Sequence, residues 1–254
     1  MKKIFTLLLL FTLLPLLLSA KGTVTIGGSP YTADTLAHYK VGPGTYHTYV
    51  HFSGPKDMRA FYLEIDATNP YISFQSVLGR DSIVTCEGIT SMAARKSQPG
   101  SRYFAGTNAD FFATSGAIGT PVHGFASGGQ LGKVPVSSGP QTAFTHNDEC
   151  YISFVTFYGQ VTYNNANYGI HSVNGSRGTD QLVLYNRYVG HYTHTNAYGY
   201  EVPVSLADGE TWGLNRAVKI VVSGAGSTAG NMEIAENGAV LSGHGASADF
   251  LKTL

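Results

Sequence analysis

The chain has 254 residues, and only 13% of them are charged, with 16 Lys and Arg against 16 Asp and Glu. A formal charge of zero excludes the profile of a nucleic-acid-binding protein, and the length suits one large β-rich domain or two small ones with a real core. Tyrosine dominates the aromatics, 16 Tyr against 13 Phe and one Trp, and a ring carrying a hydroxyl suits both half-buried strands and sugar-binding faces.

Met1-Lys2-Lys3 precedes an apolar run from Ile4 to Leu18 broken only by Thr6, Thr12 and Pro15, and the small pair Ser19-Ala20 follows. This is the pattern of a cleaved signal peptide over residues 1–20. The run is short for a membrane span of ~20 apolar residues and contains a proline. No cysteine stands at the cleavage point, and no later stretch is apolar enough to cross a bilayer, so the mature chain carries no transmembrane anchor. The expected destination is the periplasm, the cell surface or the medium. In an oxidising compartment the even pair Cys86 and Cys150 favours a disulfide over two free thiols. Such a bridge would close a loop of about 65 residues and contribute on the order of 4 kcal/mol.

Residues 21–44 read as an N-terminal linker or extension, ending at Gly42-Pro43-Gly44. The β-formers of residues 45–52, the turn Ser53-Gly54-Pro55-Lys56-Asp57, the alternation of Phe61, Leu63 and Ile65, and a further segment over 71–78 predict an antiparallel meander. A helix is predicted over 85–96 from Ile89, Met92 and Ala93, capped by Thr85 or Thr90 and closed by Pro99-Gly100. A short strand over 103–106 then leads into residues 113–140, which are glycine-rich and without period. A structureless stretch of that length is usually functional.

Strands resume over 141–145, 151–158, 181–185, 200–206 and 218–222, and residues 164–180 form a polar loop. The last segment begins a helix with Ser247 as cap and Phe250, Leu251 and Leu254 on one side. It has no glycine cap or basic end, as expected for part of a longer protein. The fold class is α+β, a mixed and mostly antiparallel twisted sheet with a few packed helices and long Gly-rich loops.

The segment Asn108-Ala109-Asp110-Phe111-Phe112, with Pro121, Gly124 and Gly128 downstream, resembles the core motif of the phosphodiester glycosidase family. Ile89-Thr90-Ser91-Met92-Ala93-Ala94-Arg95, Leu182-Val183-Leu184-Tyr185, Gly199-Tyr200-Glu201-Val202 and Gly238-Ala239-Val240-Leu241-Ser242-Gly243-His244-Gly245 carry the same likeness over residues 45–254. The resemblance implies an exported bacterial hydrolase that releases a sugar from a phosphodiester-linked glycan. The family's later arginine motif and Asp-Gly-Gly-Gly-Ser motif are not in this chain, so the domain is expected to be incomplete here. A non-catalytic carbohydrate-binding or surface protein is the alternative.

Breaking a sugar–phosphate bond at the anomeric carbon releases an anion that is already stable, so the site needs anion binding and a carboxylate more than a strong acid. Asp110 and Glu201 are the candidate catalytic carboxylates. Asn108 offers an amide donor and acceptor, and His123 a group of a type that titrates near neutrality. Gly124 offers a backbone N–H and Arg95 a guanidinium for phosphate. One of Phe111 and Phe112 is expected in the core, since adjacent strand residues face opposite ways. His191 and His194 have no third ligand, and no metal or cofactor is expected. The implied partner is a carbohydrate or glycosyl-phosphate substrate.

Overall fold

The computed structural model describes residues 21–135, 139–145, 147 and 149–254. The expected signal peptide lies outside the described residues. The chain divides into two compact units, Met1–Ile72 and Ser73–Leu254.

In the first unit four strands, β1 (Lys21–Ile26), β2 (Ser29–Gly42), β3 (Thr45–Ser53) and β4 (Met58–Ile65), form one sheet in that order, every pair antiparallel. Gly27 and Gly28, both at positive φ, make the tight turn between β1 and β2. Residues 21–44 are therefore two paired strands and not a linker: β2 is bonded along its length to β3, with register shifts at Thr35/Ala37 and Lys40/Gly42. Tyr31, Thr45, Thr48 and Val50 are buried, whereas Phe61 and Ile65 are exposed. Alternation in β4 thus marked a strand without marking a core face. The meander also stops short. After β4 the Asp66 carboxylate accepts from the Thr68 amide and hydroxyl at 3.0 and 2.6 Å, and residues 73–78 belong to no strand. Asn69 Oδ1 likewise accepts from the Tyr71 amide at 3.0 Å, so both side chains bond the backbone ahead of them and turn the chain.

The second unit is built on a six-stranded sheet in the order β13-β12-β14-β11-β10-β9. Its strands are β9 (Gly159–Tyr163), β10 (Ala166–Val173), β11 (Leu182–Tyr185), β12 (Tyr200–Leu206), β13 (Ile220–Val222) and β14 (Ala239–Gly243). Only β10 and β11 run parallel. The polar stretch expected as a loop contains β10, reached through an Asn164-Asn165 turn with both residues at positive φ. β14 is buried throughout. Leu182, Val202, Val204, Ala239 and Leu241 pack on one face with Leu251, and Val183, Tyr185 and Val240 on the other with Ile234. Each of the leucine, isoleucine and valine side chains contributes roughly 1.5–3 kcal/mol through removal of apolar surface from water.

Helix α2 (Ala246–Leu251) closes the first face through Leu251 and a Phe250–Tyr168 stack at 4.9 Å. Its N-cap is Gly245 and not Ser247. Gly245 has φ 57 and lies against Asp180, whose Oδ1 accepts from the Ala246 amide at 2.8 Å, so a side chain at 245 would be strained and would collide. Ser247 is buried in the first turn and bonds Gln181 and His244. Helix α1 (Ile89–Lys96) and two hairpins, β5 (Phe125–Ser127) with β6 (Gln130–Lys133) and β7 (Gln141–Phe144) with β8 (Cys150–Ser153), complete the unit. The fold is therefore predominantly β, with helices a minor part.

Cys86 and Cys150 are free thiols and both exposed, which corrects the expected disulfide. Cys86 sits in the loop packed over Gly79, while Cys150 opens β8 opposite Phe144. Among the described residues no helix is long and apolar enough to cross a membrane.

Candidate functional site

Backbone pairing brings two of the predicted residues together. The Val122 amide donates to Phe111 O at 2.9 Å, Phe112 bridges Pro121, and the Ala113 amide donates to Thr120 O at 2.9 Å. This short ladder folds residues 111–122 back on themselves. Asp110 and His123, one at each end of the returning segment, meet at its base. His123 Nδ1 lies 2.8 Å from Asp110 Oδ1, and the His123 amide donates to Asp110 Oδ2 at 2.7 Å. The Phe111 amide donates to Oδ1 at 2.8 Å.

A carboxylate partner requires Nδ1 to carry the proton, which leaves Nε2 as the working nitrogen of the ring. That edge faces Gly139, where an added Cβ would stand 2.7 Å from Nε2. Burial works to raise the Asp110 pKa, but the bonds from the His123 ring and amide and from the Phe111 amide outweigh it, so the carboxyl lies below its usual value. Lys133 stands close by. Burial lowers its pKa, Asp110 acts in the opposite sense, and its ammonium donates to the Pro121 and Val122 carbonyls.

The other predicted residues fall elsewhere. Asn108 is exposed, and so are both Phe111 and Phe112, since this segment is not a regular strand and its only bridge is Phe112 to Pro121. The Gly124 amide is used by Gln141 Oε1 at 3.1 Å, so it is not free for an oxyanion. Arg95 is held on α1 by Glu87, at 2.8 Å from Nη2, by Asp81, at 2.5 Å from Nη1, and by the Leu78 carbonyl. It fastens the helix to the preceding loop and leaves little of its charge for phosphate.

Glu201 is fully buried. It accepts from the Thr195 hydroxyl and the Met232 amide, each at 3.0 Å, and its backbone bridges Ser227. It therefore stitches β12 to the loops covering the second face of the sheet.

Those loops frame a cavity of about 350 Å³ whose lining includes Asn174, Ser176, Arg177, Tyr185, His194 and Asn196. Asp110 is not among its lining residues. The two places are nonetheless joined through β6: Asn174 Nδ2 donates to Gly132 O at 2.9 Å, one residue before Lys133. Burial pushes the Tyr185 phenol up to about 12, with Arg177 lowering it and Glu201 raising it. Tyr185 was named only as part of the strand motif Leu182-Val183-Leu184-Tyr185, and Arg177 not at all. The only signal for Arg177 was its place as a lone arginine inside the polar run Asn174-Gly175-Ser176-Arg177-Gly178.

No family model matches this sequence, and no curated protein matches it. The fold is similar to the crystal structure of a hypothetical protein from Synechocystis, with a TM-score of 0.50 and 12% identity over 89% of this chain and 38% of that one. A crystal structure named "Putative exported protein" from Burkholderia pseudomallei matches with a TM-score of 0.46 and 16% identity over 89% of this chain and 44% of that one. The chain thus spans less than half the length of either, and the first likeness shows the fold alone.

Proposed function

We propose that the protein is an exported hydrolase of the phosphodiester glycosidase type that releases a sugar from a phosphate-linked glycan. The observation carrying this reading is the 2.8 Å pairing of Asp110 with His123 Nδ1 at the base of the 111–122 ladder. In this scheme His123 Nε2 takes a proton from water as the water oxygen bonds the anomeric carbon and the bond from that carbon to the phosphate oxygen breaks. The electrons of the broken bond leave with the phosphate, as a monoester anion. Asp110 fixes the tautomer and stabilises the imidazolium that forms, which makes it a positioning and charge-stabilising group. Glu201 has no part in the reaction.

Export follows from the leader of residues 1–20, and a bacterial envelope is the setting that leader implies. A second reading, glycan binding without turnover, is favoured by the absence of Asp110 from the lining of the 350 Å³ cavity. The test is release of free sugar from a panel of chromogenic glycosyl phosphodiesters, with loss of turnover in Asp110→Asn and His123→Gln. A folded protein that binds glycans and turns over no diester of the panel decides for the second reading.

A further inference from the structure

Arg177 is the cation of the 350 Å³ cavity, and its surroundings are unlike those of Arg95. Its Nη1 donates to Ser242 Oγ at 2.7 Å, and its Nη2 to Asn196 O and Oδ1, both at 2.8 Å. All three acceptors are neutral. Among the described residues no carboxylate lies within ion-pair distance of Arg177, so its full charge is left for whatever enters. A guanidinium has five N–H donors. Three bonds leave at least two donors without a partner among the described residues.

The position of this side chain is set by backbone. Ser242, which holds Nη1, is fully buried in the central strand β14. Gly199 lies directly against the guanidinium, and an added Cβ there would stand 2.6 Å from Arg177 Cζ and Nη1 and would also meet the Gly243 carbonyl. The absence of a side chain at 199 is what leaves room for the guanidinium beside the start of β12 and the end of β14. Asn196, held by Arg177 on one side, also accepts from the Tyr198 amide at 3.1 Å, so the loop and the cation fix each other.

The rest of the lining decides what sort of anion fits. Asn174, Ser176, Thr193, Thr195, Tyr185 and Asn196 carry amide and hydroxyl groups, His194 adds an imidazole, and Val189 is the aliphatic member. Glu201, the carboxylate nearest in function, is sealed behind Thr195 and Met232. A wall with one uncompensated planar cation and many neutral hydrogen-bonding groups matches a polyhydroxylated ligand with one oxyanion. We infer that this cavity binds a sugar bearing a phosphate or carboxylate, with Arg177 as the anion-recognition residue and Gly199 as its positioning residue. The inference deepens the hydrolase reading and rests on it for treating that ligand as substrate.

Calorimetric titration of the folded full chain with glucose 1-phosphate, glucuronate, methyl glucoside and inorganic phosphate tests this. At least one of the two sugar anions binds, methyl glucoside binds about tenfold more weakly or worse, and inorganic phosphate is weaker than the sugar anion. Arg177→Gln removes the preference for the anion, and Gly199→Ala reduces it with the guanidinium still present. Equal binding of methyl glucoside and both anions overturns the inference, as does inorganic phosphate binding as tightly as glucose 1-phosphate, or an Arg177→Gln protein that binds the anions as the parent does. Where circular dichroism shows Arg177→Gln unfolded, the ligand comparison on the parent chain decides alone. Binding without diester turnover sinks the hydrolase reading and keeps this one. Turnover unaffected by Arg177→Gln does the reverse.

Discussion

Asp110 keeps 23% of its side chain exposed and is bonded to an ionisable ring, whereas Glu201 is fully buried and bonded to a hydroxyl and a backbone amide. Both are acidic residues that the family resemblance made catalytic candidates. The difference lies in what the partner can do. A histidine can take up or release a proton, so a carboxylate beside it tunes chemistry. A threonine hydroxyl and an amide N–H can only hold the carboxylate still, and burial raises the cost of removing it.

The largest expected effect falls on turnover. Asp110→Asn keeps an acceptor for the backbone amides but no longer holds Nδ1–H with a charge, and release of sugar from a glycosyl phosphodiester should fall by about 10³-fold. The unfolding free energy from urea titration should fall by no more than about 1 kcal/mol. Glu201→Ala should behave in the opposite way, losing about 3 kcal/mol of stability because the Met232 amide and the Thr195 hydroxyl lose their carboxylate partner and the fully buried site is emptied. Where Glu201→Ala remains folded, its turnover per folded molecule should match the parent. An Asp110→Asn protein that is strongly destabilised yet keeps parental turnover per folded molecule, or a stable Glu201→Ala protein that is inactive, would reverse the comparison.

How far the sequence reveals this arrangement depends on how local the cause is. Asp110 and His123 were both named from residue type and motif, but their pairing depends on the ladder from Phe111 to Val122 inside a stretch with no regular period. β3 and β4 were legible from β-formers, while β10 hid in a run of Asn and Gly because strand pairing overrode local composition. Arg177 was missed because its meaning is wholly long-range: Ser242 lies 65 residues away in sequence and Asn196 lies 19 away. Ser247 looked like a helix cap by type, yet Asp180 from a distant loop supplies that bond.

Acid titration sharpens the contrast by adding a third carboxylate. Bonds from Arg95, the Arg80 amide and Ser91 outweigh burial and bring Glu87 down to about 2, while Asp110 is lowered by its His123 and Phe111 partners against the raising effect of burial. A depressed pKa means that the ionised form is favoured by folding, so its contribution is complete above the unfolded value and fades as pH falls through the folded one. For Glu87 the window runs from about 4.5 down to about 2. Glu87→Gln should be less stable than the parent at pH 7, with the gap in thermal midpoint shrinking across that window. A constant gap from pH 7 to pH 2 would remove charge from the account of how α1 is held.

The smallest effect is expected at the cysteines, and it discriminates sharply because the alternative is large. Both thiols are exposed and unpaired, so Cys86→Ser and Cys150→Ser should each change stability by less than about 0.5 kcal/mol. A bridge between them would have contributed on the order of 4 kcal/mol by closing a long loop. Thiol titration of the purified, unreduced chain should find both groups reactive without denaturant. A mass short by two hydrogens that reduction restores, together with a fall in thermal midpoint on reduction, would mean that β8 and the loop over Gly79 approach each other in solution. The packing of Cys86 against Gly79 would then have to give way, which ties this measurement to the same loop that Arg95 and Glu87 fasten.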